Sequence, residues 1–451
     1  MNTPHAAGIS SLIAMALTAA ALGQSPTIIE PGWRLVAAID TLANTGSPDV
    51  CSWPRGAHFN GRDGAIYVAS RPGGAGGIYR FGGPGFATRT LILRVSEPAS
   101  VVTDPIRGDA YYSLDYPGRI VRIPFGTMTG STWVGDFNPS ADDDPIGMAI
   151  APNDYAGPPV IQPGEAVVVD EGYNNAPAVW TWSTTAPNVV NRIGGSGLVQ
   201  PLDVAVGRNG VYVVDQNLGG SNASSVYSME TGGRAVPVPT IGPLPPGVAG
   251  IAIDPYDQTL LLRSPDLVLR LDPVTGVVTT VLSVPFVPET GSVAGIDVSP
   301  DGNLLVFTYK SPNRIFVLER GYSLYGVGCP GSNGVPSIGS PTNPPRLGMT
   351  FAITASSLPQ NTVAIGILGA TTAMLSLAPF GMPACQLLAS PDTSVFLSDR
   401  PTPSTVAWSL TIPNRAHLIG VAFHQQVFAA DPGTNTLGAI VSNRGDGIIG
   451  R

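Results

Sequence analysis

Four acidic residues are the strongest candidates in this chain for contacting a ligand: Asp170, Glu171, Asp203 and Asp215. Asp170 and Glu171 follow one short apolar run and Asp215 follows another, so each stands where a β-strand should end. Carboxylates there often accept hydrogen bonds from turn amides, and the same oxygens can contact a ligand. Asp203 lies inside a third apolar run. We predict these four residues as ligand-binding and keep the turn-stabilising interpretation open.

Familiar catalytic patterns are missing from the sequence. Its four histidines are His5, His58, His417 and His424, which are too few and too scattered to predict paired-histidine chemistry. The sequence has no Gly-x-Ser-x-Gly elbow, no His-Glu-x-x-His motif and no P-loop. We therefore predict no catalytic residue, and we interpret His424, in an apolar strand, as structural.

Two local patterns leave alternatives open. Asp142–Asp144 could bind calcium, or could form a solvated turn, because no glycine-spaced ligand pattern follows. Trp180 and Trp182 alternate along one strand, so they should pack between sheets or present a stacking surface to glycans. We predict no cofactor, with calcium as the alternative.

The composition excludes some classes of partner. The 451 residues carry a net charge of −8, and Lys310 is the only lysine, so no basic surface predicts nucleic-acid binding. Only 12% of residues are charged, while 55 glycines and 45 prolines fall at regular turn positions. This composition is typical of an all-β protein with many tight turns.

The N-terminus predicts export. An apolar run from Ile9 to Leu22 ends in Ala21-Leu22-Gly23, which resembles a signal-peptide cleavage site, so residues 1–23 should be a signal peptide. An uncleaved anchor is the alternative, since the segment before the run lacks Lys and Arg. No later run reaches the 18 apolar residues of a membrane helix. We expect a secreted, periplasmic or cell-surface protein.

Three cysteines fit this location. In an exported protein two of them should pair, and Cys329 with Cys385 is the favoured pair because both lie in the C-terminal part. A pairing with Cys51 is the alternative; otherwise Cys51 should be a small buried apolar residue. A zinc site is not expected, because the sequence lacks a Cys-x-x-Cys motif.

A repeat organises residues 24–321. Turn markers recur at steps of about 44 to 56 residues, at Asp63-Gly64, Arg107-Gly108, Pro163-Gly164, Asn209-Gly210, Tyr256-Asp257 and Asp301-Gly302. Several short strands per unit at this period predict a six-bladed β-propeller. The segment that begins at Trp33 should close the ring as the outer strand of the last blade. Residues 322–451 have a different strand rhythm and predict a small β-sandwich.

The blade pattern and Asp272-Pro-Val-Thr-Gly resemble six-bladed propellers of the NHL and gluconolactonase-like (SMP-30) superfamily over residues 33–320. The C-terminal part resembles a module of exported proteins of planctomycete-type bacteria, carried by Gly328-Cys-Pro-Gly-Ser-Asn-Gly, Gly381-Met-Pro-Ala-Cys and residues 425–438. Ala384 departs from that pattern.

The gluconolactonase resemblance implies one divalent metal near the starts of the inner strands. Our alignment of the six repeats places six residues without ligating side chains there, namely Gly56, Ala99, Ile146, Leu202, Ala249 and Ala294. The neighbouring step offers Asp203 as its only carboxylate. Because a hard cation wants six or more oxygens, we predict no metal site.

These observations lead to one main functional expectation and one alternative. The main expectation is an exported, non-catalytic binding or scaffold protein of the cell envelope or surface, with an unknown protein or glycan as its partner. The alternative is a metal-dependent lactonase-like or hydrolase-like propeller enzyme.

Overall fold

The protein is described here by a computed structural model. It describes residues 25–30, 33–42, 51–71, 76–114, 118–135, 137, 144–172, 176–217, 223–255, 257–285, 295–310, 313–339, 341, 344–360, 363–383, 385–398, 404–418 and 420–450. The predicted signal peptide, His5, Asp142, Asp143 and Ala384 lie outside the described residues. Among the described residues, no helix is long and apolar enough to cross a lipid bilayer.

The described part of the chain contains strands and three short 3-10 helices, at Pro84–Phe86, Ala378–Phe380 and Ala416–Leu418. Two strands come before the repeats: β1 (Thr27–Ile28) and β2 (Trp33–Asp40). The predicted all-β class is confirmed.

Six antiparallel sheets of four or five strands follow in the described residues, and they confirm the six-bladed propeller. Blade 1 has β3 (Pro54–Phe59), β4 (Ile66–Ser70), β5 (Gly77–Gly82) and β6 (Thr88–Arg94). Blade 2 has β7 (Pro98–Thr103), β8 (Ala110–Leu114), β9 (Arg119–Ile123) and β10 (Ser131–Val134). Blade 3 has β11 (Pro145–Ile150), β12 (Ala166–Asp170), β13 (Ala178–Trp182) and β14 (Val190–Gly194).

The other three blades repeat this order. Blade 4 has β15 (Pro201–Gly207), β16 (Gly210–Asn217), β17 (Ala223–Met229) and β18 (Ala235–Pro237). Blade 5 has β19 (Gly250–Ile253), β20 (Leu260–Arg263), β21 (Leu267–Leu271) and β22 (Val278–Ser283), with β1 added outside β22. Blade 6 has β23 (Ile296–Val298), β24 (Leu304–Tyr309) and β25 (Arg314–Arg320), and β2 is its outer strand as expected.

The inner strands form a closed ring. Each inner strand contacts the inner strands of the two neighbouring blades, and β23 of blade 6 contacts β3 of blade 1. Predicted turn glycines such as Gly64, Gly108 and Gly164 have φ of 68°, 78° and 81°, a conformation that favours glycine. The sequence pattern therefore determines both the repeated strands and the turns at which the chain reverses direction between them.

Apolar side chains fill the space between blades. Trp182 is fully buried, and its ring centroid lies 4.8 Å from that of Tyr111 on blade 2. Trp180 packs against Phe137 with 6.0 Å between ring centroids. Both tryptophans therefore contribute to packing, the first of the two interpretations drawn from the sequence. Cys51 is buried, and burial raises the pKa of its thiol to about 12.

Residue contacts divide the chain into two compact units. The first contains the described residues up to Glu30, Val36–Pro300 and Leu305–Val317, and the second contains residues 33–35, Asp301–Leu304 and 318–450. The strands of the second unit are β26 (Tyr322–Tyr325), β27 (Ser337–Ile338), β28 (Thr350–Ser356), β29 (Ala364–Gly369), β30 (Thr372–Ser376), β31 (Gln386–Ala389), β32 (Thr393–Ser398), β33 (Val406–Thr411), β34 (Ala422–Ala430) and β35 (Ala439–Ile448).

The second unit has the predicted sandwich form. One sheet has the order β26-β35-β34-β29-β32 and the other has the order β27-β28-β33. Gly366 of the first sheet faces Trp408 of the second so closely that an added Cβ would lie 2.9 Å from the indole ring. The predicted disulfide between Cys329 and Cys385 is confirmed.

Candidate active site

The six inner strands enclose a channel with a cavity of about 200 Å³. The cavity lies toward the carboxyl ends of these strands, where Pro105, Pro152 and Pro300 contribute to its wall. Its lining is mostly small and apolar, with three titratable side chains: His58, Asp203 and Asp297. These three groups are therefore the candidates for chemistry in the channel.

The observed register of the inner strands differs from the alignment made on the sequence. An added Cβ on Gly56 would lie 2.9 Å from the Cα of Ser100, and one on Gly147 would lie 2.4 Å from the Cα of Asp203. Gly56 is thus equivalent to Ser100, not to Ala99. The inner strands of blades 1 to 4 share the same one-residue register shift near their starts, so the prolines that begin them, and not the turn glycines, give the correct alignment of blade 1.

In this register, the positions two residues after Gly56 and Gly295 carry titratable side chains, which the sequence alignment missed. His58 stands two residues after Gly56 on blade 1, and Asp297 stands two residues after Gly295 on blade 6. In a strand such a step returns to the same face. The four prolines that begin the inner strands were the signal that could have fixed the register, namely Pro54, Pro98, Pro145 and Pro201.

Asp203 is a buried carboxyl group on β15 of blade 4. Its Oδ2 accepts the N–H of Ile251 from blade 5 at 3.0 Å, and its Oδ1 accepts the N–H of Val204 at 3.0 Å. Burial raises the pKa of Asp203 to about 8, although these two hydrogen bonds oppose the shift. At neutral pH the group is therefore mostly protonated and can donate a proton.

His58 and Asp297 form a pair on the adjacent blades 1 and 6. The Nδ1 of His58 lies 3.7 Å from an oxygen of Asp297 and 2.9 Å from the carbonyl oxygen of Phe59. Because a carbonyl oxygen can only accept, Nδ1 carries the proton and Nε2 is left as the acceptor of the neutral ring. The Oδ2 of Asp297 also accepts the N–H of Phe59 at 2.8 Å.

The carboxyl group of Asp297 interacts electrostatically with the imidazole of His58. Burial raises the pKa of Asp297, and the neighbouring His58 opposes that shift. A carboxylate beside an imidazole stabilises the imidazolium that forms when the ring takes a proton. In the ring of six blades, blade 1 lies opposite blade 4, so His58 and Asp203 belong to opposite walls of the channel.

The other three predicted acids lie elsewhere on blades 3 and 4, at the ends of the second strands, and do not line this cavity. Asp170 accepts the N–H groups of Asp144 and Gly172 at 3.2 and 3.0 Å. Asp215 accepts those of Val199 and Gln200 at 2.6 and 2.9 Å, and burial raises its pKa. Asp170 and Asp215 thus accept hydrogen bonds from backbone N–H groups, which is the alternative interpretation that the sequence left open.

Glu171 is linked to the same region of blade 4. Its carboxylate accepts a hydrogen bond from the side-chain amide of Gln200. The structure therefore brings Glu171 and Asp215 together around Gln200. Of the four acids predicted as ligand-binding, Asp203 is the one that lines the channel.

The channel does not fit the divalent metal that the gluconolactonase resemblance implies. Within the described ranges, no group of three or more His, Cys, Asp or Glu side chains could hold a metal ion. Both oxygens of Asp203 already accept backbone N–H groups, and the Nδ1 of His58 donates to a carbonyl. Calcium and magnesium require several free oxygen ligands. Chemistry at this site must therefore be argued from the protein groups alone.

No protein-family model and no curated protein matches this chain. Three solved structures are similar to it. A gluconolactonase from Xanthomonas campestris has 13% identity and a TM-score of 0.48, covering 65% of this chain and 94% of its own. The PQQ domain of pyranose dehydrogenase from Coprinopsis cinerea, in its holo form, has 12% identity and a TM-score of 0.47, covering 66% and 97%. A chain of a nidogen/laminin complex has 14% identity and a TM-score of 0.41, covering 58% and 93%.

These findings correct the main functional expectation. Two of the three similar structures belong to enzymes, which contradicts the interpretation of this chain as a non-catalytic binding or scaffold protein. The physical basis of that interpretation was also wrong, because Asp203 shares the channel with His58 and Asp297. At such low identity the likeness concerns the fold, so no residue role is transferred to this chain.

Proposed function

We propose that the propeller is an enzyme that hydrolyses a small ester or lactone by metal-independent acid–base chemistry. One observation carries the proposal: the same channel cavity is lined by Asp203, whose pKa burial raises to about 8, and by a His58–Asp297 pair on the other side of the ring. A carboxyl group that holds its proton near neutral pH and an imidazole with one ring nitrogen free to accept a proton are what general acid and general base catalysis require.

The roles follow from the proton that Asp203 holds and from the free Nε2 of His58. The Nε2 of neutral His58 takes a proton from a water molecule as the water oxygen forms a bond to the substrate carbonyl carbon. The bond from that carbon to the ester oxygen then breaks, and Asp203 donates its proton to the departing oxygen. The products are an acid and an alcohol, or a hydroxy acid from a lactone. Exchange of a proton through solvent from His58 to Asp203 restores both groups.

Asp297 acts here as a positioning residue. Its carboxylate lies beside the N–H side of the imidazole, 3.7 Å from Nδ1, and its own orientation is held by the N–H of Phe59. It favours the tautomer with Nε2 free and stabilises the transient imidazolium. The lining of the cavity is mostly apolar, which strengthens these electrostatic effects.

The test is hydrolysis of 4-nitrophenyl acetate and of γ-butyrolactone by the purified protein, with and without chelator. We expect turnover that chelator does not change, loss of at least 100-fold in kcat for Asp203→Asn and His58→Gln, and unchanged folding of both variants by circular dichroism. Asp154→Asn, at an exposed carboxylate outside the channel, is the matched control. The proposal fails if the wild type hydrolyses neither substrate, or if Asp203→Asn retains full activity.

We also propose that the enzyme works outside the cytoplasm and that the second unit is the C-terminal module suggested by its sequence. The disulfide between Cys329 and Cys385 supports an oxidising location. N-terminal sequencing of the protein recovered from the culture medium or periplasm of an expressing bacterium tests cleavage after Gly23. Recovery only from the cytoplasm, with residues 1–23 intact, would contradict it.

A further inference from the structure

Asp203 lies at a different depth in the channel from the His58–Asp297 pair. Four inner strands begin with a proline, and the residues two positions later share one level around the ring: Gly56, Ser100, Gly147 and Asp203. Gly295 of blade 6 joins this level, because an added Cβ on it would lie 2.7 Å from the backbone nitrogen of Ala57. We call these five residues the floor level. His58 and Asp297 each stand two residues further toward the carboxyl end, a step of about 6–7 Å along a strand.

The cavity extends from the floor level in the direction of the pair. Its lining includes four of the five floor-level residues at one end, and at the other end three prolines just beyond the inner strands: Pro105, Pro152 and Pro300. We call the proline end the mouth. Asp203 therefore lies at the inner end of the cavity, and the His58–Asp297 pair lies between Asp203 and the mouth.

There is little room at the inner end. An added Cβ on Gly56 would lie 2.9 Å from the Cα of Ser100, so neighbouring strands are in contact there and a ligand chain cannot pass between them. The whole cavity, at about 200 Å³, is smaller than the roughly 300–1,000 Å³ that small-molecule sites commonly occupy. A substrate group that binds beside Asp203 must therefore be short.

The wall on the mouth side of the pair is apolar. Three partly exposed side chains line the cavity there: Ile150 on blade 3, Val206 on blade 4 and Ile253 on blade 5. Ile150 and Val206 each stand three residues after the floor-level residue of their strand, one residue nearer the mouth than the level of His58. Hydrocarbon that contacts these side chains is removed from water, which favours binding.

We propose that the enzyme is selective for esters that join a short alcohol to a longer aliphatic acid. This inference rests on the proposed function, in which Asp203 protonates the departing oxygen and His58 activates the water. The departing oxygen must then face the floor level, so its alcohol group is the part of the substrate that has little room. The acyl chain runs from the carbonyl carbon toward the mouth, where it contacts Ile150, Val206 and Ile253.

The test compares two isomeric esters, ethyl hexanoate and hexyl acetate, which have the same composition and both release an alkoxide. We expect kcat/KM for ethyl hexanoate to be at least about 10-fold higher. Hexyl acetate should still inhibit the hydrolysis of ethyl hexanoate competitively, because its hexyl chain can occupy the apolar mouth with the ester group reversed. Nitrophenyl esters do not report this preference, since nitrophenolate is intrinsically a better leaving group than an alkoxide.

A variant tests the apolar wall. Ile253→Thr should lower the ratio of kcat/KM for ethyl hexanoate to that for ethyl acetate, because it removes hydrocarbon that the acyl chain contacts. Ile150→Thr makes the same change on blade 3 and should have the same effect. Ile92→Thr, at a partly exposed isoleucine on β6 outside the cavity, is the matched control and should keep the wild-type ratio.

The outcomes separate this inference from the proposed function. Hydrolysis of both isomers with equal kcat/KM, or a preference for hexyl acetate, together with loss of hydrolysis in Asp203→Asn, would overturn the inference and leave the proposed function standing. Failure to hydrolyse any of the esters, or full activity in Asp203→Asn, would overturn the proposed function and this inference with it.

Discussion

Asp203 on blade 4 accepts the backbone N–H of Ile251 on blade 5, with 3.0 Å between Oδ2 and the nitrogen. The carboxyl group therefore joins two inner strands at the same place where it faces the channel. Its structural and chemical roles can be separated, because an asparagine keeps an oxygen for the N–H of Ile251 but cannot exchange a proton.

The first prediction concerns stability against pH. The pKa of Asp203 is about 8 in the folded protein and near its ordinary value of 3.8 when unfolded, so between these values the folded state holds a proton that the unfolded chain has released. The contribution of Asp203 is therefore full below about pH 4 and is lost as the pH rises toward 8. Each unit of pKa difference corresponds to about 1.4 kcal/mol, so the loss should be a few kcal/mol.

Urea unfolding of the wild type and Asp203→Asn at pH 5 and pH 8.5 measures this effect. The wild type should lose more stability than the variant between the two pH values. Equal losses in both proteins would show that Asp203 does not hold its proton in the folded state.

The second prediction concerns a buried ion pair in the second unit. Asp446 accepts hydrogen bonds from the Nε and Nη2 of Arg444 at 2.6 and 2.9 Å, and lies 2.5 Å from the Nδ1 of His424. Burial alone would raise the pKa of Asp446, but these partners outweigh it and leave the pKa below its ordinary value. Asp446→Asn should destabilise this unit by about 3–5 kcal/mol, because Arg444 would remain buried without its counter-ion.

Denaturant unfolding measures that change, with Asp154→Asn as the control. Asp154 pairs with Arg208 at 2.7 Å, but both side chains are more than half exposed. An exposed pair contributes about 1 kcal/mol or less. Similar losses of unfolding free energy in the two variants would contradict the larger contribution that we expect from the buried pair.

The third prediction compares two neighbouring glutamines on β34. Gln425 is fully buried, and neither its amide nitrogen nor its oxygen has a hydrogen-bond partner among the described residues. Gln426 is equally buried, but its amide accepts the N–H of Leu388 and donates to the carbonyls of Gln386 and Ser442. Gln425→Met should leave stability unchanged or raise it by about 1–3 kcal/mol, because it removes the cost of unpaired polar atoms.

Gln426→Met should instead destabilise the protein, because it leaves backbone groups of β31 and β35 without partners. Thermal unfolding of the two variants, which have the same change in composition, gives the comparison. A higher melting temperature for Gln426→Met than for Gln425→Met would refute the assignment of hydrogen bonds at these positions.

The fourth prediction concerns the cysteines. The disulfide closes a loop with a sequence separation of 56 residues, for which chain entropy gives a stabilisation of about 4 kcal/mol. The double variant Cys329→Ser/Cys385→Ser should lose about 2–4 kcal/mol. Thiol titration in denaturant should find one thiol, Cys51, before reduction and three after it. Finding three thiols before reduction would contradict the disulfide.

The sequence predicted more of the fold than of the site. Turns such as Asp63-Gly64 and short apolar strands are local features, so the six blades and the closing strand at Trp33 could be predicted from the sequence alone. The channel groups depend on how neighbouring blades align. The sequence alignment set blade 1 one residue out of step with blade 2, and it considered positions two residues before His58 and Asp297, so both side chains were missed. Asp170 and Asp215 were recognisable as strand-end acids, but only the structure shows which amides they bind.

The outer strand of blade 6 comes from the opposite end of the repeat region, and this has a consequence for biosynthesis. Arg34 on β2 and Glu319 on β25, whose side chains are 2.7 Å apart, are separated by 285 residues in sequence. At roughly 5–20 residues per second of translation, β2 emerges about 15–60 s before the strand that it pairs with. Throughout that interval its hydrogen-bonding edge has no native partner. A nascent chain arrested before residue 314 should therefore be a substrate for chaperones that bind extended segments, and release of the arrest should end that association.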